Sequence, residues 1–182
     1  MPKDPDEMIL DDKFNALKNS LKAMDKVLIA YSGGVDSAFL LKAATLSGLS
    51  TVLAVTGLSE SIPDEEINSA RDLAQSMNVQ YRTIITEELR DKNYADNPPD
   101  RCYFCKKELF GKLRKIAADE QFPFVLDGTN ADDAKDWRPG QRAAREEGII
   151  SPLLEAGLSK KDIRELSRRL DLPTWDKPAT PC

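Results

Sequence analysis

The run Lys26-Val-Leu-Ile-Ala-Tyr-Ser-Gly-Gly-Val-Asp-Ser37 constrains this chain more than any other. Val27, Leu28, Ile29 and Ala30 form a short apolar stretch, the pattern of a parallel strand covered on both faces. Gly33 and Gly34 allow a sharp turn and let a ligand approach the backbone with no Cβ in the way. Asp36 and Ser37 then open a helix over 36–47 whose body, from Ala38 to Leu46, is apolar almost all round and so should be buried. A helix start after a glycine turn offers unpaired N–H groups and about half a unit of positive charge, a seat for phosphate. Neither GxxxxGK[ST] nor GxGxxG is present, so the loop is of a different kind from those two phosphate binders.

Elements alternate along the rest of the chain. Leu10, Phe14, Leu17, Leu21 and Met24 recur at helical spacing over 8–24. Thr51–Thr56 predicts a second strand, and Pro63 with the acidic 64–66 suits a helix start whose buried stripe is Ile67, Ala70, Leu73, Ala74 and Met77. Tyr81–Thr86 reads as a third strand and the charged 88–100 as a surface loop. A helix is expected from Arg101 to about Ala118, then a strand at Phe122–Leu126 ending in Asp127-Gly-Thr-Asn130. Such a turn at a strand's carboxyl end is where open α/β sheets bind ligands. Asp132–Gly140 reads as a charged loop, Gly148–Leu153 as a fifth strand, and Ser159 as the cap of a last helix with Ile163, Leu166 and Leu170 on one face. The expected fold is α/β: a doubly wound, mainly parallel five-stranded sheet with helices on both faces. Residues 1–171 are read as one domain and 172–182, with three prolines, as a loop leaving it.

Composition narrows the chemistry. A net charge of −5 argues against binding nucleic acid through a broad basic surface. No apolar run approaches the ~20 residues needed to cross a bilayer, and the N-terminus is polar and mixed in charge, so a cytoplasmic enzyme is expected. Histidine is absent, which removes histidine bases, nucleophile–histidine pairs and histidine metal ligands. The cysteines are Cys102, Cys105 and Cys182, an odd number better suited to metal or thiol chemistry than to a disulfide framework. Arg101-Cys-Tyr-Phe-Cys-Lys-Lys107 puts a CxxC at a predicted helix start, where thiolates are favoured. Three readings stand for it: a redox pair, a structural zinc site needing a fourth ligand, or an iron–sulfur cluster on three cysteines with one iron left open.

Ser32-Gly-Gly-Val-Asp-Ser37 resembles the PP-loop of the ATP pyrophosphatase superfamily, whose members break ATP between the α and β phosphates and form an adenylated substrate. Together with Arg101–Lys106, Asp127–Asn130, Asp136-Trp-Arg-Pro-Gly140 and Lys177-Pro-Ala-Thr-Pro-Cys182, in that order, it resembles the LarE family of ATP-dependent sulfur transferases. That family works in the synthesis of the nickel-pincer nucleotide cofactor of lactate racemase. The resemblance implies that a carboxylate of pyridinium-3,5-biscarboxylic acid mononucleotide attacks the α-phosphorus of Mg²⁺-bound ATP, and that sulfur then displaces AMP to give a thiocarboxylate. It assigns Ser32, Gly33, Gly34, Asp36 and Ser37 to the pyrophosphate, with Asp36 also helping to place Mg²⁺. Thr56, Gly128 and Thr129 fall to the adenosine and α-phosphate region, and Arg138 to an anion contact or a salt bridge with Asp132, Asp133 or Asp136. Trp137 is open between substrate contact and packing.

The sulfur source divides that family. In one branch the cysteine matching Cys182 gives up its own sulfur; in the other, cysteines matching Cys102, Cys105 and Cys182 hold a 4Fe–4S cluster. All three are present here, so the resemblance is to the cluster branch. Family members normally continue past this cysteine into a segment supplying subunit contacts and further substrate-binding residues, so the tail is expected to lead into such a segment and the longer protein to be a homo-oligomer. Two other readings are carried forward: a tRNA thiolase with the same adenylating chemistry, and a non-catalytic nucleotide-binding module with a structural zinc.

Overall fold

Apolar stretches that alternate with amphipathic ones give strands and covering helices in turn. The computed structural model describes residues 5–59, 62–86, 101–135 and 139–178. In chain order these form α1 (Pro5–Met24), β1 (Lys26–Ala30), α2 (Val35–Leu46), β2 (Thr51–Leu58), α3 (Asp64–Ser76) and β3 (Gln80–Ile85). After residues 87–100 come α4 (Arg101–Asp119), β4 (Phe124–Leu126), a 3₁₀ turn (Asp133–Lys135), α5 (Pro139–Glu146), α6 (Pro152–Glu155) and α7 (Lys160–Arg169). The expected loop at 88–100 lies outside the described residues.

The sheet runs β3-β2-β1-β4, every neighbouring pair parallel. The period of two along a strand explains the continuous apolar runs. Val27, Ile29, Ala54 and Leu126 enter one core with α1, α2, α3 and α7; Leu28, Leu53, Val55 and Val125 enter a second with α4 and α5. Helix α2 lies inside the first core, packed against α1, α3 and α7, with Phe39, Leu40, Leu41, Ala43 and Ala44 all buried. A helix packed in this way between sheet and helices has its axis fixed, and its N-terminus lies at the sheet's carboxyl edge while its last residue, Leu46, is exposed at the other end.

Three sequence expectations are corrected. The fifth strand shrinks to a single parallel bridge between Ile150 and Leu126 among the described residues. Ile150 N donates to Val125 O at 3.0 Å and Asp127 N to Ile150 O at 3.0 Å, but Pro152 follows at the first position of α6. Proline has no N–H to extend the ladder and its φ suits a helix start, so pairing stops there. The charged loop at Asp132–Gly140 instead contains the 3₁₀ turn, and Pro139 opens α5, whose inner face is Ala143 and Ala144. Strand β2 runs on to Leu58, so Thr56 lies two residues inside its end. Among the described residues no helix is long and apolar enough to cross a membrane.

Candidate active site

β1 delivers the chain to the loop through Tyr31, which is buried with its hydroxyl donating to Ala70 O at 3.1 Å. Burial, with Tyr81 beside it, raises the Tyr31 phenol above its ordinary range. Thr56 Oγ1 donates to Tyr31 O at 2.6 Å, which ties the loop's threshold to β2. Gly33 takes φ +74°, a conformation that L side chains avoid, and a Cβ there would stand 2.7 Å from Ala70 Cβ on α3. Gly34 is the N-cap of α2 in extended geometry, with no side-chain cap bond. The loop is closed internally: Ser32 N donates to Ser37 Oγ at 3.2 Å, Gly34 N to Ser32 Oγ at 3.3 Å, and Ser37 Oγ to Gly34 O at 3.3 Å. The start of α2 therefore has the open N–H groups and dipole that favour an anion.

The end of β4 closes against this helix start. A Cβ on Gly128 would lie 3.0 Å from Ser37 N, so only glycine lets the two backbones approach this far. The turn is organised by Asp127, whose carboxylate accepts from Ser151 Oγ at 2.7 Å, Thr129 N at 3.2 Å and Thr129 Oγ1 at 2.8 Å.

Asp36 is the charged centre. Its Oδ2 accepts from Lys160 Nζ at 2.7 Å and from Asn130 Nδ2 at 3.4 Å, while Oδ1 is buried with no hydrogen-bond partner. A buried carboxylate oxygen left over in this way fits a hard cation such as Mg²⁺, which takes oxygen ligands. Sequence reasoning had no role for Lys160 and did not separate Asn130 from its turn. A signal for Lys160 was present: a lysine directly after the Ser159 cap opposes the helix dipole and so calls for a nearby anion.

Cys102 and Cys105 fall in the first two turns of α4, one exposed and the other half-buried. Their spacing of three puts them on one helix face. The helix reaches the start of β4 through a short turn after Asp119, so its N-terminus lies toward the same sheet edge as the loop. α5 crosses close by: a Cβ on Gly140 would meet Lys106 Cγ at 3.0 Å and Cys102 O at 3.6 Å. Glu146 joins the two helices, its Oε2 accepting from Lys107 Nζ at 2.7 Å and Tyr103 Oη at 2.6 Å, and its Oε1 from Arg142 Nε at 2.9 Å. Arg142 also stacks on the Tyr103 ring at 4.4 Å. The bond from Lys107, then those from Tyr103 and Arg142, lower the Glu146 carboxyl to about 2, and Glu146 in turn holds Lys107 above its ordinary range. Lys107 is thus neutralised by Glu146 as well as lying near the cysteine pair.

Cys182, Trp137 and Arg138 lie outside the described residues. No group of three or more Cys, Asp or Glu side chains is gathered for a metal among the described residues. A shallow cavity of about 570 Å³ on α7 is lined by Lys161, Arg164, Glu165, Arg168 and Trp175, and includes none of the loop residues.

No family model matches the chain. It is 37% identical over 172 residues to the pyridinium-3,5-bisthiocarboxylic acid mononucleotide synthase of Lactiplantibacillus plantarum, covering 94% of this chain and 62% of that protein. Among solved structures, it resembles the NMN synthetase of Francisella tularensis with a TM-score of 0.73 at 22% identity, over 98% of this chain and 76% of the other. It also resembles the U34-tRNA thiolase NcsA of Methanococcus maripaludis with its [4Fe-4S] cluster, TM-score 0.72 at 17% identity, over 97% and 69%. The chain spans just under two thirds of the length of the curated relatives it matches. Fold and loop together define a parallel α/β protein with a PP-loop-like glycine turn, the fold of these solved structures. Its sequence is similar to that of the bisthiocarboxylic acid mononucleotide synthase, in agreement with the motifs that resemble the LarE family.

Two predictions follow from this geometry. Gly33→Ala should lower stability by about 1–3 kcal/mol in urea unfolding, and adding Ala70→Gly should recover the part due to contact but not the part due to φ. The Glu146 network should hold at pH above the ordinary carboxylate value of 4.5 and be lost as pH falls toward about 2, because the folded-state value is depressed. Amide exchange in α4 and α5 would report this; protection unchanged through that window would contradict it.

Proposed function

We propose that the chain is the adenylating part of an ATP-dependent sulfur transferase acting on pyridinium-3,5-biscarboxylic acid mononucleotide. The observation that supports this most directly is the uncapped start of α2 beside Asp36, whose Oδ1 is buried and unpartnered, in a homologue of the synthase. The backbone N–H groups at Val35 to Ser37 would hold the pyrophosphate portion of ATP, while Ser32 and Ser37 fix the loop's shape. Thr56, Gly128 and Thr129 would border the α-phosphate and adenosine. A substrate carboxylate oxygen then bonds to the α-phosphorus as the bond to the bridging oxygen breaks and pyrophosphate leaves. The acyl-adenylate so formed has AMP as a good leaving group, which a sulfur nucleophile displaces. Mg²⁺ held by Asp36 would neutralise phosphate charge.

Cys102 and Cys105, one helical turn apart at a helix N-terminus, suit thiolate ligation, and the cluster-bearing tRNA thiolase has the same fold. With Cys182 as third ligand they would hold a 4Fe–4S cluster, whose open iron would supply a bound sulfur for transfer. In the alternative, the Cys182 thiolate itself attacks the acyl-adenylate, AMP departs, and loss of the α-proton with C–S cleavage leaves the thiocarboxylate and dehydroalanine. Residues 1–171 would form the adenylating domain, with 172–182 leading toward a segment that completes substrate binding and subunit contacts in a homo-oligomer. The tRNA-thiolase reading shares the fold, but the net charge of −5 counts against it.

Pyrophosphate release should require the pyridinium biscarboxylate, and Asp36→Asn should lower it by about 10²-fold or more; release stimulated by tRNA instead would move the assignment to the thiolase reading. Anaerobic reconstitution should give about four irons and four labile sulfides per chain, lost in Cys102→Ala. Zinc without sulfide would support the structural-zinc module. A Cys182 mass reduced by one hydrogen sulfide after turnover would support the sacrificial route.

A further inference from the structure

We propose that Lys160 is the resident counter-ion of the phosphate seat: it keeps Asp36 neutralised so that a polyphosphate can enter before any metal ion is in place. The inference rests on the nucleotide-site reading above and assigns a positioning role to a residue that the loop motif does not contain. Asp36 stands in the first turn of α2, beside the N–H groups that would receive the phosphates. Alone, its carboxylate would place a negative charge next to an anion of charge near −4. Lys160 Nζ lies 2.7 Å from Asp36 Oδ2.

The lysine is held there from its own backbone. Ser159 and Asp162 form a capping box at the start of α7, and Lys160 N donates to Asp132 Oδ2 at 2.8 Å. Lys13 on α1 pins Asp162 from outside at 2.8 Å. Asn130, buried at 3% exposure, accepts from Asp132 N at 2.9 Å and Asp133 N at 3.2 Å, and turns its amide toward the same Oδ2. Both donors therefore engage one oxygen of Asp36, and the other stays buried and open. A cation at a helix N-terminus is disfavoured by the dipole, and the ion pair to Asp36 offsets that cost. Neutralisation by Lys160 and neutralisation by a divalent ion are then alternatives at one carboxylate. The role of the lysine should be largest when no metal is present.

The test is a double-mutant cycle read by equilibrium ATP binding, in EDTA and again in Mg²⁺. The unmodified chain, Lys160→Met, Lys160→Arg, Asp36→Asn and the Lys160→Met/Asp36→Asn double variant would be compared. In EDTA, Lys160→Met should bind ATP at least roughly tenfold more weakly, as one unpaired charge within a few ångströms implies. Mg²⁺ should shrink that gap, Lys160→Arg should stay near the unmodified chain, and the double variant should regain most of the lost affinity in EDTA. Additive losses in the double variant, or an equal deficit with and without Mg²⁺, would overturn the inference while leaving the nucleotide site standing. Failure of the unmodified chain to bind ATP would overturn the site reading and the inference with it, in an arm that carries no substitution.

Discussion

Everything at the candidate site depends on the burial of α2. A helix that is apolar on all sides cannot lie on a surface, so α1, α3, α7 and the sheet must enclose it. Enclosure fixes its axis, and parallel topology directs its N-terminus to the carboxyl edge of the sheet. That N-terminus has no side-chain cap. Unsatisfied N–H groups at an exposed helix end are inexpensive in water and valuable to an anion, so the folding constraint and the binding capacity come from the same residues.

Most of this was legible in the chain. Val27 to Ala30 followed by two glycines specifies a buried strand and a turn with few alternatives, and the apolar body after Asp36 specifies a core helix. The strand sequence alternates between two cores, which a run without polar interruption already implies. The fifth strand is misread because Ile149 and Ile150 are as apolar as a strand requires, while the deciding residue is Pro152, two positions after Ile150. Helix α5 was missed because its apolar content is two alanines among charged residues, and Pro139-Gly140 reads locally as a turn. Its packing partner is α4, where Gly140 allows contact with Lys106; that contact is tertiary and leaves no periodic mark.

Ion pairs were the least legible. Asp36 and Lys160 are 124 residues apart, and nothing in the sequence near either names the other. Glu146 illustrates the same limit. The basic residues around the CxxC suggest an unbalanced positive field, yet Lys107 is matched by a carboxylate from a helix the sequence reading lacked. What surrounds a thiol pair is set by what packs across it, and local charge counts miss that.

Helix α7 links the two chemical requirements of the proposed reaction. Its first residue faces Asp36, while Arg164, one turn later, donates to Trp175 O and Lys177 O, each at 2.8 Å. The chain is therefore tethered at Lys177, and Cys182 lies five positions beyond that anchor. Five extended residues reach at most roughly 17 Å. That covalent length is an upper bound on the distance between Cys182 and a carbonyl held by the helix whose first residue faces Asp36. In the proposed reaction, sulfur delivery and nucleotide binding would share one frame of reference, helix α7, set by the covalent distance from Lys177 to Cys182.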